Sequence, residues 1–257
     1  MHSLPIIIAT LSLVIATAGF AAASNDQPTA SPFQHGDRVC FIGDSITGGG
    51  LYHAYVQLFY STRYPDRDIT FFNCGHPGGT SYDCLRRLSW DVLDRKPTVA
   101  MLNFGMNDMS GLYGDANTPT AEIDAGIAKR IAGVEANYRK VLDQLSAAGV
   151  RLILSGPPIY DDTVSVETPL QLSNLAMTRW TKRIGEIAKD RNAEFVDLGA
   201  VMNSVNTKLQ AADPKATIVG PDRVHPGPVG QAVMAFAILE AQGVEPVVAR
   251  ILSLIHI

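Results

Sequence analysis

Two segments of this sequence contain the residue types that acyl transfer needs. Ser45 lies in the run Gly-Asp-Ser-Ile-Thr, and Asp222 precedes His225 by three positions. A serine hydroxyl is a weak nucleophile until a base removes its proton, and an imidazole can do so near neutral pH. A carboxylate can hold that imidazole in the required orientation. Ser45, His225 and Asp222 are therefore predicted to be nucleophile, base and orienting acid.

Two further segments could stabilise the negative oxygen of a tetrahedral intermediate, which requires preorganised hydrogen-bond donors. Residues 73–80 read Asn-Cys-Gly-His-Pro-Gly-Gly-Thr, and residues 105–108 read Gly-Met-Asn-Asp. The predicted donors are the backbone N–H groups of Ser45 and Gly78 and the side-chain amide of Asn107. Glycine at position 78 lets the backbone approach a substrate closely, because it has no Cβ.

The elements around these segments alternate between strand and helix. Short apolar runs predict five strands, at residues 38–42, 69–73, 99–104, 151–155 and 193–196. Helical periodicity predicts helices at residues 51–64, 81–93, 121–148, 170–191 and 229–241. This alternation predicts an α/β domain whose parallel sheet carries helices on both faces. Three of the polar segments follow predicted strands, and the fourth precedes the last helix, so all four would meet at the carboxyl edge of the sheet.

The four segments, in this order, resemble the four sequence blocks of the SGNH (GDSL-type) serine hydrolases, over residues 38–241. The resemblance implies a three-layer α/β/α sandwich of the flavodoxin-like kind around a five-stranded parallel sheet. It implies the triad Ser45, Asp222 and His225, the oxyanion donors Ser45, Gly78 and Asn107, and no cofactor or metal. The sequence departs from the family in Gly78-Gly79-Thr80, where many relatives have an acidic residue after the glycine; this leaves the oxyanion role intact.

Composition and missing motifs exclude several other functions. A net charge of -4 without clustered Lys or Arg argues against a nucleic-acid partner. No G-x-S-x-G surrounds Ser45, which argues against an α/β-hydrolase, and the glycines at 48–50 lack the phosphate-loop pattern. No Cys or His spacing predicts a metal site. Cys40, Cys74 and Cys84 are expected to be free buried thiols, although pairing of Cys74 with Cys84 stays open.

The two ends of the chain differ from the middle. Residues 4–23 form an uncharged apolar run ending in three alanines, which predicts a signal peptide at 1–23 and a secreted or periplasmic enzyme. If the run is not cleaved, it would anchor the protein in a membrane. We expect a polar linker at 24–36 and the hydrolase domain at 37–251. Residues 252–257, LSLIHI, match the translation of a sequencing-library adapter, so the natural chain is expected to continue beyond Ile251.

We therefore expect a secreted serine esterase that forms an acyl-serine intermediate. Acetylated carbohydrate, in small-molecule or polysaccharide form, is the first choice of substrate, because many exported SGNH relatives deacetylate polysaccharides. Residues 109–119 are too short for a large lid, which also favours a small acyl group. The alternatives are a lysophospholipase or short-chain acyl esterase, or an acyltransferase with the same triad.

Two hypotheses without ester chemistry also arise from the scaffold. A carbohydrate-binding module would use Trp90 and Trp180 as sugar platforms, but both lie in helical patterns and are expected in the core. A phosphate- or flavin-binding sheet would leave His225 without a role. The sequence does not determine the oligomeric state.

Overall fold

Five parallel strands form the centre of the computed structural model, which describes residues 29–112, 118–161 and 173–244. They are β1 (Arg38–Gly43), β2 (Thr70–Gly75), β3 (Val99–Asn103), β4 (Arg151–Gly156) and β5 (Glu194–Asp197). The strand order is β2-β1-β3-β4-β5, and every neighbouring pair is parallel. In this order β2 lies on one side of β1, and β3, the next strand along the chain, lies on the other side. Such a switch point opens a crevice for ligands at the carboxyl ends of the strands.

The burial of each strand follows from its place in the sheet. All five residues of β3 are buried, and in β1 and β4 only the first residue of each is partly exposed. The edge strands β2 and β5 are more exposed. Central strands covered by helices on both faces require nearly continuous apolar sequence, which is why these runs do not alternate with polar residues.

Seven α-helices connect or flank the strands in the described residues. They are α1 (Ser45–Gly48), α2 (Tyr52–Arg63), α3 (Ser81–Arg87), α4 (Thr120–Ala147), α5 (Ser173–Arg191), α6 (Leu198–Ala212) and α7 (Pro228–Ala241). Helix α7 packs on α2 and α6, whereas α4 packs on α3 and is joined by ion pairs to α5. The helices thus form two layers, and the predicted α/β/α architecture is confirmed.

Local sequence explains the ends of the helices that matter for the site. At the start of α3, Thr80 and Asp83 form a capping box in which each side chain accepts from the other residue's backbone N–H. At the end of α4, Gly149 has a left-handed φ of 74°. The N–H of Gly149 donates to Ser146 and that of Val150 to Leu145, at 2.9 and 3.1 Å. This C-terminal motif is the one predicted from the glycine.

Two helical features differ from the sequence predictions. Helix α6 was not predicted; it begins at the cap residue Asp197, whose carboxylate accepts from the N–H of Ala200 at 2.9 Å. The helix predicted at 81–93 changes after Arg87 into a π-helical turn and then a 3₁₀ turn. Trp90 lies in the π turn and is 64% exposed, so its expected place in the core is wrong, whereas Trp180 is fully buried as expected.

The N-terminal part of the described chain packs on the domain. Phe33, within the segment expected to be a linker, is fully buried, and the N–H of Ala30 donates to the carbonyl of Ala241 at 3.0 Å. The predicted signal peptide at 1–23 and the adapter-like residues 252–257 lie outside the described residues, as do positions 113–117 of the short segment after β3. No helix in the described ranges has the length and apolarity needed to cross a membrane.

Candidate active site

The end of β1 places Ser45 at the carboxyl edge of the sheet. Gly43 is the last residue of β1, and Ser45 is the first residue of the short helix α1. Asp44, between them, caps this helix by accepting the N–H of Ile46 at 2.9 Å. A first helical residue has no acceptor for its N–H within the helix. Ser45 therefore presents both its hydroxyl and its backbone N–H at this edge.

A continuous chain of hydrogen bonds joins the three predicted triad residues. The Oγ of Ser45 lies 2.8 Å from Nε2 of His225, although 180 positions separate them in the sequence. The Nδ1 of His225 lies 2.6 Å from Oδ2 of Asp222. With the proton on Nδ1, the imidazole donates to Asp222, and its free Nε2 can accept the proton of Ser45. This arrangement can activate the serine hydroxyl for attack on a carbonyl.

The carboxyl of Asp222 is suited to staying charged beside the imidazole. Partial burial raises its pKa, but hydrogen bonds together outweigh that effect and lower the pKa of Asp222 below its ordinary value. They come from the backbone N–H of His225 at 2.9 Å, the His225 ring and the N–H of Val224 at 3.0 Å. An ionised Asp222 fixes the ring orientation and stabilises the imidazolium that forms when His225 takes a proton.

The turn that carries Asp222 and His225 is held in an unfavourable backbone conformation. Arg223 has a φ of 63°, in the left-handed region that residues with a Cβ rarely adopt. Its guanidinium donates to Oδ2 of the buried Asp161 at 3.2 Å, and its carbonyl accepts the N–H of Asp161 at 3.1 Å. The N–H of Gly220 donates to the carbonyl of His225 at 2.6 Å and closes the turn.

The structure brings together the two segments predicted to supply the other oxyanion donors. Gly78 is exposed and has a left-handed φ of 72°, which explains the glycine at this position. The side-chain amide of Asn107 donates one hydrogen bond to the carbonyl of Gly79, at 3.1 Å. An asparagine amide has two hydrogens, so the second remains for a ligand.

Sequence reasoning missed a residue pair that fixes the same two segments. Oδ1 of the buried Asp108 accepts the N–H of Ser81 at 3.0 Å and its hydroxyl at 2.7 Å. Arg130 of α4 donates to the carbonyls of Asp108 and Ser110, at 3.0 and 2.9 Å. These bonds tie the loop of Asn107 to the start of α3 and to α4. Asp108 and Ser81 lie 27 positions apart, and no local pattern indicates their contact.

Asp44 has an electrostatic role that its sequence position does not reveal. Its hydrogen bond to Ile46 agrees with the expectation that it binds nearby backbone. The residue is only 3% exposed, however, and burial raises the pKa of its carboxyl to about 6, with the charge of Asp108 adding to the effect. Burial likewise raises the pKa of Asp108. Two buried carboxyls with raised pKa values thus lie close enough to each other to interact, and one of them precedes the candidate nucleophile in the sequence.

The described ranges contain no group of three or more His, Cys, Asp or Glu side chains that could hold a metal ion. All three cysteines are buried and free, as expected, so the alternative pairing of Cys74 with Cys84 is wrong. The thiol of Cys74 donates to the carbonyl of Asp91 at 3.7 Å.

Comparison with known proteins agrees with this geometry. Residues 41–233 match the model of the GDSL-like lipase/acylhydrolase family. An acetylxylan esterase from Geobacillus stearothermophilus is 28% identical over 237 residues, which cover 84% of this chain and 98% of that protein. A solved structure of an acetylxylan esterase from the same organism has a TM-score of 0.64 at 27% identity, over 82% of this chain and 96% of that one.

A solved gut microbial diltiazem-metabolizing enzyme is 36% identical, with a TM-score of 0.76 over 84% of this chain. This chain spans about half of that protein's length, 48%. Solved catalytic mutants of the Geobacillus esterase replace a serine, an aspartate and a histidine, the last two lying three positions apart. Asp222 and His225 have the same spacing here.

Proposed function

The chain belongs to the GDSL-like lipase/acylhydrolase family and is a carboxylic ester hydrolase, and from this premise we propose that it removes acetyl groups from carbohydrate. The observation that carries the proposal is the hydrogen-bond chain from Ser45 through His225 to Asp222, at 2.8 and 2.6 Å. The similarity to acetylxylan esterase supports the choice of substrate.

In the first half of the proposed reaction, the Oγ of Ser45 attacks the acetyl carbonyl carbon and its proton moves to Nε2 of His225. The carbonyl oxygen becomes negative and accepts from the N–H groups of Ser45 and Gly78 and from the amide of Asn107. The C–O bond to the sugar then breaks. The leaving sugar oxygen takes the proton from Nε2, and the acetyl group remains on Ser45.

In the second half, a water molecule gives a proton to Nε2 of His225 and its oxygen attacks the acetyl carbon. The same donors stabilise the second oxyanion. The bond to Ser45 Oγ breaks, Oγ takes the proton back from Nε2, and acetic acid leaves. Asp222 stays ionised throughout, because its hydrogen bonds hold its pKa below the ordinary value. These residues complete the cycle with water as the only co-reactant.

The test compares the wild type with Ser45→Ala on p-nitrophenyl acetate and on acetylated xylan. Ser204→Ala is a matched control, because Ser204 is an exposed serine on α6 and belongs to none of the four site segments. We expect Ser45→Ala to lower kcat by at least about 10³-fold, because the nucleophile is removed. A fluorophosphonate should label the wild type and not Ser45→Ala. Equal rates in the two proteins would exclude Ser45 as nucleophile.

The substrate class is tested by comparing kcat/KM on esters that differ in their acyl chain and in their alcohol. We expect the highest kcat/KM on acetylated xylo-oligosaccharides, lower values on longer p-nitrophenyl esters, and the lowest on lysophospholipid. A preference for lysophospholipid would leave the serine mechanism standing and contradict the choice of carbohydrate.

We also propose that the enzyme acts outside the cytoplasm, on the basis of the apolar run at residues 4–23. Expression of the full chain in a bacterial host should deliver the enzyme to the periplasm or the medium, with a new N-terminus near residue 24. Recovery of the uncleaved chain from the cytoplasm would contradict this.

A further inference from the structure

A cleft of about 550 Å³ lies next to the candidate oxyanion site, between the start of α3 and the length of α4. Thr80 and Tyr82 line one side, Lys129 and Asn137 of α4 line the other, and Asn107 lies in its wall. Asn107 thus belongs both to this cleft and to the candidate oxyanion donors, so the two sites are continuous. The volume falls in the range of small-molecule sites and far exceeds what an acetyl group needs.

The α4 side of the cleft is kept open by two glycines. Gly126 and Gly133 are seven positions apart, which places them on the same face of the helix, and both line the cleft. A Cβ at either position would meet no atom within 4 Å, so packing does not require glycine there. Each glycine inside a helix is less favourable than alanine by about 1 kcal/mol. The two glycines widen the cleft instead of serving the core.

The side chains at the rim suit a sugar with an acidic substituent. Tyr82 is 52% exposed, and an exposed aromatic ring can stack on the apolar C–H face of a pyranose. Lys129 is exposed and has no acidic partner in the described part of the chain. Arg130 also lines the cleft, donates to the carbonyls of Asp108 and Ser110, and forms no ion pair in the described ranges. The acidic side chain in the same lining, Asp108, is only 5% exposed, so the two cations face the solvent more than it does. Two cations at one rim attract a carboxylate.

We propose that this cleft binds the saccharide part of the acetylated substrate, and that it favours a glycan carrying uronic-acid branches. In this arrangement Tyr82 stacks on a backbone sugar, and Lys129 pairs with the carboxylate of a branch. Asn107 marks the end of the cleft where the acetyl ester meets Ser45. The inference rests on the proposed deacetylation of carbohydrate and adds to it the binding site and the charge of the glycan.

The experiment measures binding separately from turnover. Ser45→Ala enzyme is titrated with two deacetylated probes, a xylo-oligosaccharide with a glucuronic-acid branch and the same oligosaccharide without the branch. The titrations are repeated with Tyr82→Ala, Tyr82→Phe and Lys129→Gln added to Ser45→Ala. Two matched controls are Phe236→Ala, an equally exposed aromatic at 51% on α7, and Lys140→Gln, an exposed lysine of α4 outside the cleft.

We expect saturable binding, tighter for the branched probe. Tyr82→Ala should weaken binding of both probes by roughly tenfold and Tyr82→Phe should restore it, because the ring and not the hydroxyl makes the stack. Lys129→Gln should weaken binding of the branched probe alone, by about 3- to 10-fold at low salt, and the effect should shrink as salt screens the charge. The two control variants should bind as the parent does.

The proposal is overturned if neither probe binds, if Tyr82→Ala and Phe236→Ala have equal effects, or if both probes bind alike in the parent. A loss of activity of Tyr82→Ala on long-chain acyl esters, without any effect on sugar binding, would make the cleft an acyl site and also overturn it. A separate measurement of acetate release from acetylated xylan distinguishes failure of this proposal from failure of the proposed function. If the enzyme binds the probes but releases no acetate from acetylated xylan, the saccharide site proposed here is supported and the proposed reaction is contradicted.

Discussion

Replacement of Asp44 by asparagine should make the protein more stable and less active at neutral pH. The carboxyl of Asp44 is 3% exposed and its pKa is raised to about 6, mainly by burial, from an ordinary value of 3.8. The folded protein therefore holds a proton on Asp44 more tightly than the unfolded chain does. The stability contributed by this group is complete below pH 3.8 and is lost as pH rises through about 6.

The size of the effect follows from the difference between the two pKa values. That difference corresponds to roughly 3 kcal/mol of unfolding free energy at neutral pH. Asparagine has the shape of aspartate without its charge, and its Oδ1 can keep the hydrogen bond from Ile46. We expect Asp44→Asn to be more stable than the wild type by roughly 1 kcal/mol at about pH 4.5 and by roughly 3 kcal/mol at about pH 7.5.

Urea unfolding of both proteins at the two pH values measures this difference directly. Asp197→Asn is the matched control for exchanging a capping carboxylate for an amide, because the carboxylate of Asp197 also caps a helix, by accepting the N–H of Ala200. A stability gain that is equal at both pH values, or a loss at about pH 7.5, would refute the reasoning. In the same samples kcat should fall, because ionised Asp44 stabilises the imidazolium of His225.

Three further substitutions test the remaining parts of the site on p-nitrophenyl acetate. Asn107→Ala should lower kcat by roughly 10²–10³-fold with little change in KM, because its amide acts on the oxyanion; a change in KM alone would contradict this. Ser81→Ala should lower kcat while Ser204→Ala does not, because Ser81 ties Asp108 to α3 and Ser204 is an exposed serine of α6; equal kcat values would count against a positioning role. Asp222→Asn should lower kcat by roughly 10²–10⁴-fold across neutral pH, and wild-type rates in that variant would exclude Asp222 as the orienting group.

The secondary structure was predictable where a local pattern carries the information. The five strands follow from apolar runs of the right length, and the observed strands begin or end within two residues of the predicted positions. The end of α4 follows from Gly149. Helix α6 was missed, because Asn203, Asn206 and Thr207 are weak helix formers and its buried face decides the conformation through packing.

The exposure of Trp90 was within reach of the periodicity. Trp90 lies two positions from both Leu88 and Val92, which places it on the opposite side of a helix with about 3.6 residues per turn. Leu88 and Val92 are buried and Trp90 is 64% exposed, as that spacing requires. What the local pattern did not indicate is the π turn itself, because the packing of the whole helix determines where such a turn forms.

The sequence by itself determined the fold class and the candidate chemistry of this protein. Parallel strands end at one edge of a sheet, so polar segments that follow successive strands must converge, and the spacing of Asp222 and His225 is local. Only the tertiary structure decided the distance from Ser45 to His225, the support of Arg223 by Asp161, and the raised pKa of Asp44. Distances across 180 residues and the burial of a charge depend on how helices and loops pack, and no local pattern contains that information.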